Sequence, residues 1–253
     1  MIRFGKYINI STLVLTTALL AVGSILLADE DMHWSYTGET GPENWAKLSP
    51  EFAACGIGFN QSPIDIGKTV SAELAVLQFN YEGHGTSIVN NGHTVQVNVG
   101  PGSWLRAGGE NFQLVQLHFH SPSEHQLNGE LFPLEGHLVH QNANGALAVV
   151  SVLFRSGEWN TELARVGAAA PMAVNQPEPI DLDIAKLELY RNHDSYYRYS
   201  GSLTTPPCTE GVHWYVLKNP GHIAPEQAAR FVKLIGKDAR GPQPINARIV
   251  LEK

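Results

Sequence analysis

The stretch LVQLHFHSPSEHQLNGELFPLEGHLVHQN, Leu114–Asn142, carries five of the chain's eleven histidines: His118, His120, His125, His137 and His140. Its first part alternates apolar and polar residues, the pattern of a strand with one buried face. Residues i and i+2 of a strand share a face, so His118 and His120 point one way while Leu117 and Phe119 point into the opposite layer. A turn-rich segment, Ser121 to Phe132, follows, and the apolar pattern resumes in LEGHLVH. If that second segment pairs antiparallel, His137 shares a face with Val139 and completes a set of three imidazoles. Three neutral histidines suit a zinc ion and leave a fourth position for water, the layout of a catalytic rather than a closed structural site. His140 lies an odd number of residues from His137, so strand parity turns it away and it reads as structural, as does His125 in the turn-rich segment.

Metal-bound imidazoles need their second nitrogen oriented by another group. Gln116 lies two residues before His118, and Glu135 two before His137, so both are placed for that task. A competing reading starts from the same residues. His118-x-His120-x3-Glu124 is also the spacing by which cupin metal sites collect two histidines and a glutamate, and Glu124 would then be a ligand. Phe112 stands where the cupin motif wants glycine, yet the local pattern alone leaves both readings open.

Beyond this stretch, apolar alternation recurs at Thr86–Val99 and Ala146–Phe154, each bounded by Gly, Asn or Pro, and predicts more strands. Thr161–Ala170 and Pro225–Ile235 have helical periodicity, the second with proline near its first turn. The fold class is therefore mostly β (α+β). No linker, repeat or low-complexity tract divides the chain, so residues 29–253 read as one domain. Before it, Arg3 and Lys6 precede an uncharged run from Tyr7 to Ala28, followed by Asp29, Glu30 and Asp31. Residues 1–28 have the layout of a signal peptide, although the run is also about as long as a membrane anchor, which needs ~20 residues. Either way the domain faces an oxidising compartment, periplasmic or secreted. Without Arg3 and Lys6 the formal charge moves from -7 to -9, which argues against nucleic acid as a partner. Cys55 and Cys208 are the two cysteines. In an exported chain such a pair reads first as a disulfide, with two free or metal-bound thiols as the alternative. A bridge closing so long a loop is worth at most about 5 kcal/mol in the chain-entropy model.

Farther on comes YSGSLTTPPCTEGVHWYVL (Tyr199–Leu217), and earlier come HWSY (His33–Tyr36), NQSPIDI (Asn60–Ile66) and NNGH (Asn90–His93). In this order, together with His118, His120 and His137, they resemble the alpha-class carbonic anhydrases from about His33 to Arg248. The resemblance implies a central, mainly antiparallel, twisted sheet of about ten strands with a few peripheral helices and a conical site opening to its middle. It also implies reversible hydration of carbon dioxide to bicarbonate and a proton, by attack of zinc-bound hydroxide. Thr204 would then accept a hydrogen bond from that hydroxide and donate its own to Glu124, and Thr205 would contact bicarbonate. Val139, Val149, Leu203, Val212 and Trp214 would form the apolar wall that receives carbon dioxide.

The same resemblance makes His93 a proton shuttle, a task suited to a side chain with an unperturbed pKa of about 6.5. Read alone, His93 is a turn residue behind Asn-Asn-Gly. Tyr36 and Asn91 match positions that order the waters along the proton path. A Cys55–Cys208 bridge would pin the loop carrying Thr204, and X-Pro bonds at Ser62-Pro63 and within that loop would be cis. Gln96 and Asn98 stand on the pocket face, where Asn98 replaces an acidic residue of some relatives. Six residues separate His140 from Leu147, a short link that resembles the compact bacterial branch, where homodimers are common.

Overall fold

The computed structural model describes residues 33–187 and 194–253; the expected signal peptide, residues 1–28, lies outside the described residues. Among the described residues, ten strands follow one hydrogen-bonded path: β1 (Val70–Ser71), β2 (His84–Asn90), β3 (Val95–Val99), β4 (Glu110–His120), β5 (Leu134–Gln141), β6 (Leu147–Ser156), β7 (Glu178–Asp183), β8 (Tyr196–Ser202), β9 (Glu210–Leu217) and β10 (Leu251–Glu252). In space they run β7-β2-β3-β4-β5-β6-β9-β8-β10-β1, and further strands attach to the side of this path. Neighbours along it are antiparallel except for β6 with β9 and β10 with β1. The sheet is thus the mainly antiparallel one expected.

Strand β4 shows how the sequence sorts its side chains. Phe112, Leu114, Leu117 and Phe119 are all buried on one face, although the step from Leu114 to Leu117 breaks strict alternation. A bulge between Leu114 and Gln116 accounts for it. The extra residue, Val115, is 44% exposed, and the parity change it introduces keeps Leu117 and Phe119 on the face of Phe112 and Leu114, leaving Gln116, His118 and His120 together on the other. Register then does the rest: His118 is the direct cross-strand partner of His137 on β5 and of Gln96 on β3. Directly opposed residues have Cβ atoms only about 5 Å apart, so pairing alone makes two of the histidines neighbours.

The two faces of the sheet carry different loads. One packs Leu117, Phe119, Leu138, Val150 and Val152 against α1 (Thr161–Ala169) and α2 (Pro225–Ile235), with the Phe119 and Phe231 rings 5.1 Å apart. Gln227 joins the starts of both helices, accepting from the backbone N–H of Asn160 and of Ala224. The other face holds the second apolar cluster, built on Val149, Leu153, Val212, Trp214 and Val216. Truncating a ring such as Phe119 to alanine would cost about 3–5 kcal/mol of stability, so the helical face is the mechanical support of the other.

Three contacts from one early segment, residues 55–62, fix the loop after β8. Cys55 and Cys208 are bridged across 153 residues, with Cα atoms 5.0 Å apart. Ser62 and Ser202 exchange hydrogen bonds, each backbone N–H donating to the other's Oγ. Gln61 Nε2 donates to the Cys208 carbonyl at 3.0 Å. The bonds Ser62-Pro63 and Pro206-Pro207 are cis, as expected, and so is Ser121-Pro122, which was not. Replacing both cysteines by serine is expected to remove about 2–5 kcal/mol of stability, read as a lower melting temperature; an unchanged melting curve would contradict the bridge's role.

Candidate metal centre

Each of the three converging histidines has one nitrogen committed to a protein acceptor, and that commitment fixes its tautomer. His118 Nδ1 donates to Gln116 Oε1 at 2.8 Å, His120 Nδ1 to the Asp238 carbonyl at 2.8 Å, and His137 Nε2 to Glu135 Oε1 at 2.7 Å. The opposite nitrogens, His118 Nε2, His120 Nε2 and His137 Nδ1, are left as lone pairs. One ligand atom from each residue lies within 4.8 Å of the others. Burial lowers His118 well below the usual imidazole range, helped by the neighbouring His120 and His137, and lowers His137 to about 4 against the pull of Glu135. His118 and His137 are therefore neutral at pH 7, the form that binds a metal.

The arrangement fits a zinc ion on two counts. Two nitrogens bonded to zinc at ordinary length and tetrahedral angle stand about 3.3 Å apart, and His118 Nε2 and His137 Nδ1 are separated by 3.3 Å. His120 Nε2 is buried and has no hydrogen-bond partner among the described residues, a state that proteins rarely tolerate without a ligand. His125, Glu135 and His137 form a second close group. There, however, both histidine contacts, 2.6 and 2.7 Å long, are hydrogen bonds to one carboxylate oxygen.

Glu135 is fully buried and organises the floor of the site. Its Oε2 accepts from the backbone N–H of Glu124 and of His125, both at 2.8 Å, and its Oε1 accepts from His125 Nδ1, His137 Nε2 and Ser151 Oγ. Burial alone would raise its pKa, but His125 and His137 outweigh burial and hold it well below the carboxylate range. His125 is structural, as expected, and its Nε2 meets the Tyr199 hydroxyl at 2.6 Å, which in turn meets Ser62 Oγ at 2.9 Å. His140 points away from the trio, as parity required, and bonds to the Tyr81 hydroxyl at 2.8 Å.

Glu124 lies beside the trio without joining it. Its Oε1 accepts from the Arg240 backbone N–H at 3.0 Å, and its Oε2 is 3.5 Å from His120 Nε2. Burial and then Glu135 push its pKa up to about 8, while the Arg240 N–H and the nearby Thr204 hydroxyl pull it down. Thr204 and Thr205 occupy the pinned loop, where the Cys208 N–H closes a turn onto the Thr205 carbonyl. The five expected wall residues fall in one cluster: Val149, Val212 and Trp214 are buried, and Val139 and Leu203 pack half-buried against them. Trp214 stands edge-on to His137 with ring centres 4.9 Å apart, and its Nε1 donates to the Ser202 carbonyl.

His93 lies at the half-buried edge, stacked on Trp34 with ring centres 3.7 Å apart and planes 8° from parallel. Burial lowers its pKa, and so does the neighbouring charge of His33. Asn91 Oδ1 accepts from the backbone N–H of His93 and Thr94 and so shapes the turn that carries His93. Tyr36 packs against Trp34 and Trp45, and its buried hydroxyl has no partner among the described residues. Gln96 and Asn98 bond to each other on the pocket side of β3. Asp238, Arg240 and Trp34 were not singled out from sequence. Only Trp34 had a local signal, its place within HWSY.

Comparison with known proteins agrees with this geometry. The family model described as eukaryotic-type carbonic anhydrase matches residues 40–253. A carbonic anhydrase of Pectobacterium carotovorum is 43% identical over 92% of this chain and 96% of its own, and one of Neisseria gonorrhoeae is 41% identical over 99% of both. The solved alpha-carbonic anhydrase of Thermovibrio ammonificans, in complex with the inhibitor sulfanilamide, superposes with a TM-score of 0.83 at 45% identity, covering 87% of this chain and 99% of that one. With the cupin reading thereby set aside, the chain belongs to the eukaryotic-type carbonic anhydrase family.

Proposed function

We propose that this carbonic anhydrase uses zinc, held by His118, His120 and His137, to hydrate carbon dioxide reversibly, with His93 carrying the released proton away. The observation that supports it most is the meeting of three imidazole nitrogens not committed to a protein acceptor, one of them buried and otherwise unpartnered. Zinc bound there supplies the general chemistry of this enzyme class, bringing the pKa of a bound water into the neutral range and so providing a nucleophile near pH 7.

The remaining tasks belong to the chain's own side chains. Carbon dioxide is apolar, and Val139, Val149, Leu203, Val212 and Trp214 give it a surface from which water is excluded. Glu124, fixed by the Arg240 N–H, accepts a hydrogen bond from the Thr204 hydroxyl. Thr204 then has only lone pairs to offer the site. It accepts a hydrogen bond there, and so selects reacting oxygens whose proton points at Thr204 and whose lone pair faces carbon. This is orientation, not general base work. Thr205, next in the loop, contacts bicarbonate. His93, with its pKa lowered, is mostly neutral at pH 7 and able to accept the proton. Tyr36 lines the inner end of that path, and Asn91 serves it by shaping the His93 turn.

We further infer that residues 1–28 direct export and that residues 29–253 act in the periplasm or outside the cell. The buried disulfide supports an oxidising compartment, and no helix among the described residues is long and apolar enough to cross a membrane.

Removing zinc with a chelator is expected to abolish carbon dioxide hydration in a stopped-flow assay, and one zinc per chain to restore it; hydration that survives complete removal would sink the proposal. In the same assay Thr204→Ala should keep its zinc and lose rate by about 100-fold. His93→Ala should lower turnover in weakly buffered medium by at least about tenfold, with recovery on adding imidazole. No loss, or a loss that imidazole does not relieve, would remove His93 from the proton path.

A further inference from the structure

Thr94 follows His93 directly, and it is buried, 7% exposed, in a place where the mechanism above gives it no task. The backbone ladder between β3 and β4 ends at Gln96 opposite His118. One residue farther along β4 the Thr94 hydroxyl makes the connection instead: it donates to the Phe119 carbonyl and accepts from the Phe119 N–H at 3.3 Å. Phe119 lies between His118 and His120 in sequence, and its own ring is held in the core against Phe231. The hydroxyl thus ties the His93 turn to a strand that cannot shift without moving that core. Within the turn Thr94 is fastened again, its N–H donating to Asn91 Oδ1 at 2.8 Å and its carbonyl accepting from the Asn91 N–H at 3.1 Å. The other arm is held separately, by Asn90 Nδ2 on the Leu234 carbonyl at 3.0 Å. Gly92, at φ +84°, lets the chain reverse between the two arms.

We propose that Thr94 is a positioning residue for proton transfer: by pinning the turn to Phe119, its hydroxyl sets the distance and direction of the His93 ring relative to the three converging histidines. The inference rests on His93 being the proton carrier and names what holds that carrier in place. A proton passed along ordered water depends steeply on placement, and a misplacement of about 1 Å can cost on the order of 100-fold in rate. The chemistry calls for a hydroxyl, because one atom here must donate to a carbonyl and accept from an N–H at once. A methyl group does neither. Stacking on Trp34 fixes the plane of the His93 ring from one side, while Thr94 fixes its backbone from the other.

The test is carbon dioxide hydration by the zinc-loaded full-length protein, with kcat and kcat/KM measured in weakly buffered medium and again with added imidazole. The proton leaves after carbon has been attacked, so misplacing its carrier lowers kcat and spares kcat/KM. Thr94→Val has nearly the same shape without the hydroxyl. It is expected to lose at least about tenfold in kcat, to keep kcat/KM and its zinc, and to recover with imidazole. Thr94→Ser, which retains the hydroxyl, is expected to match wild type. Adding Thr94→Val to His93→Ala should lower kcat no further, since both act on one step. An unchanged kcat in Thr94→Val would overturn the proposal. So would a joint fall of kcat and kcat/KM that imidazole does not relieve, which marks a structural effect on β4. If His93→Ala itself shows no loss that imidazole relieves, the shuttle reading fails and this inference falls with it; a normal Thr94→Val beside a deficient His93→Ala defeats this inference alone. Thr94→Ala gives the same comparison should the valine variant not fold.

Discussion

Three imidazole lone pairs aimed at one point are an unfavourable arrangement unless something positive lies between them, and the rest of the molecule exists in a form that enforces it. The enforcement works through the far nitrogens. Each is fastened to an acceptor of a different kind, an amide oxygen, a backbone carbonyl and a carboxylate. With those protons committed, no ring can rotate or change tautomer without leaving a buried donor unsatisfied, a loss of about 1–3 kcal/mol each. Burial keeps His118 and His137 neutral, and a neutral imidazole is the form that binds a metal.

The sheet divides the labour between its faces. On the helical face, packed apolar side chains of β4, β5 and β6 hold the register that sets His118 opposite His137. On the other face, the same strands present histidines, Glu135 and the apolar wall. Between them, the loop after β8 is not free to choose its own conformation. The disulfide, the Ser62–Ser202 exchange and the Trp214 indole all fix it from outside. Thr204 is thus delivered beside Glu124 by contacts that span well over a hundred residues of sequence. A preorganised hydroxyl there acts only if it is already aimed before substrate arrives.

Strand parity made much of this legible in sequence. The spacing of His118 and His120, the return of apolar alternation at His137, and the odd offset of His140 each follow from side chains alternating across a strand. Gln116 and Glu135 could be read as orienting groups because they lie on the same strand faces as their histidines. The bulge at Val115 was visible only as a stutter in the apolar pattern and did not disturb the reading, because the histidines all lie beyond it. The roles of Thr204, Glu124 and His93 came from resemblance to a family, not from spacing. Asp238 and Arg240 escaped because they act on the site through backbone atoms brought in from more than a hundred residues away, and no side-chain type announces that.

The central claim, that one cation is shared by these three rings with a corner left open, is tested most directly by an anomalous-difference map at the zinc absorption edge from crystals of the loaded protein. The account predicts a single peak about 2.0–2.1 Å from His118 Nε2, His120 Nε2 and His137 Nδ1, with no carboxylate oxygen at bonding distance. A peak held instead by His125, Glu135 and His137, or one whose fourth position is closed by Glu124, would contradict it.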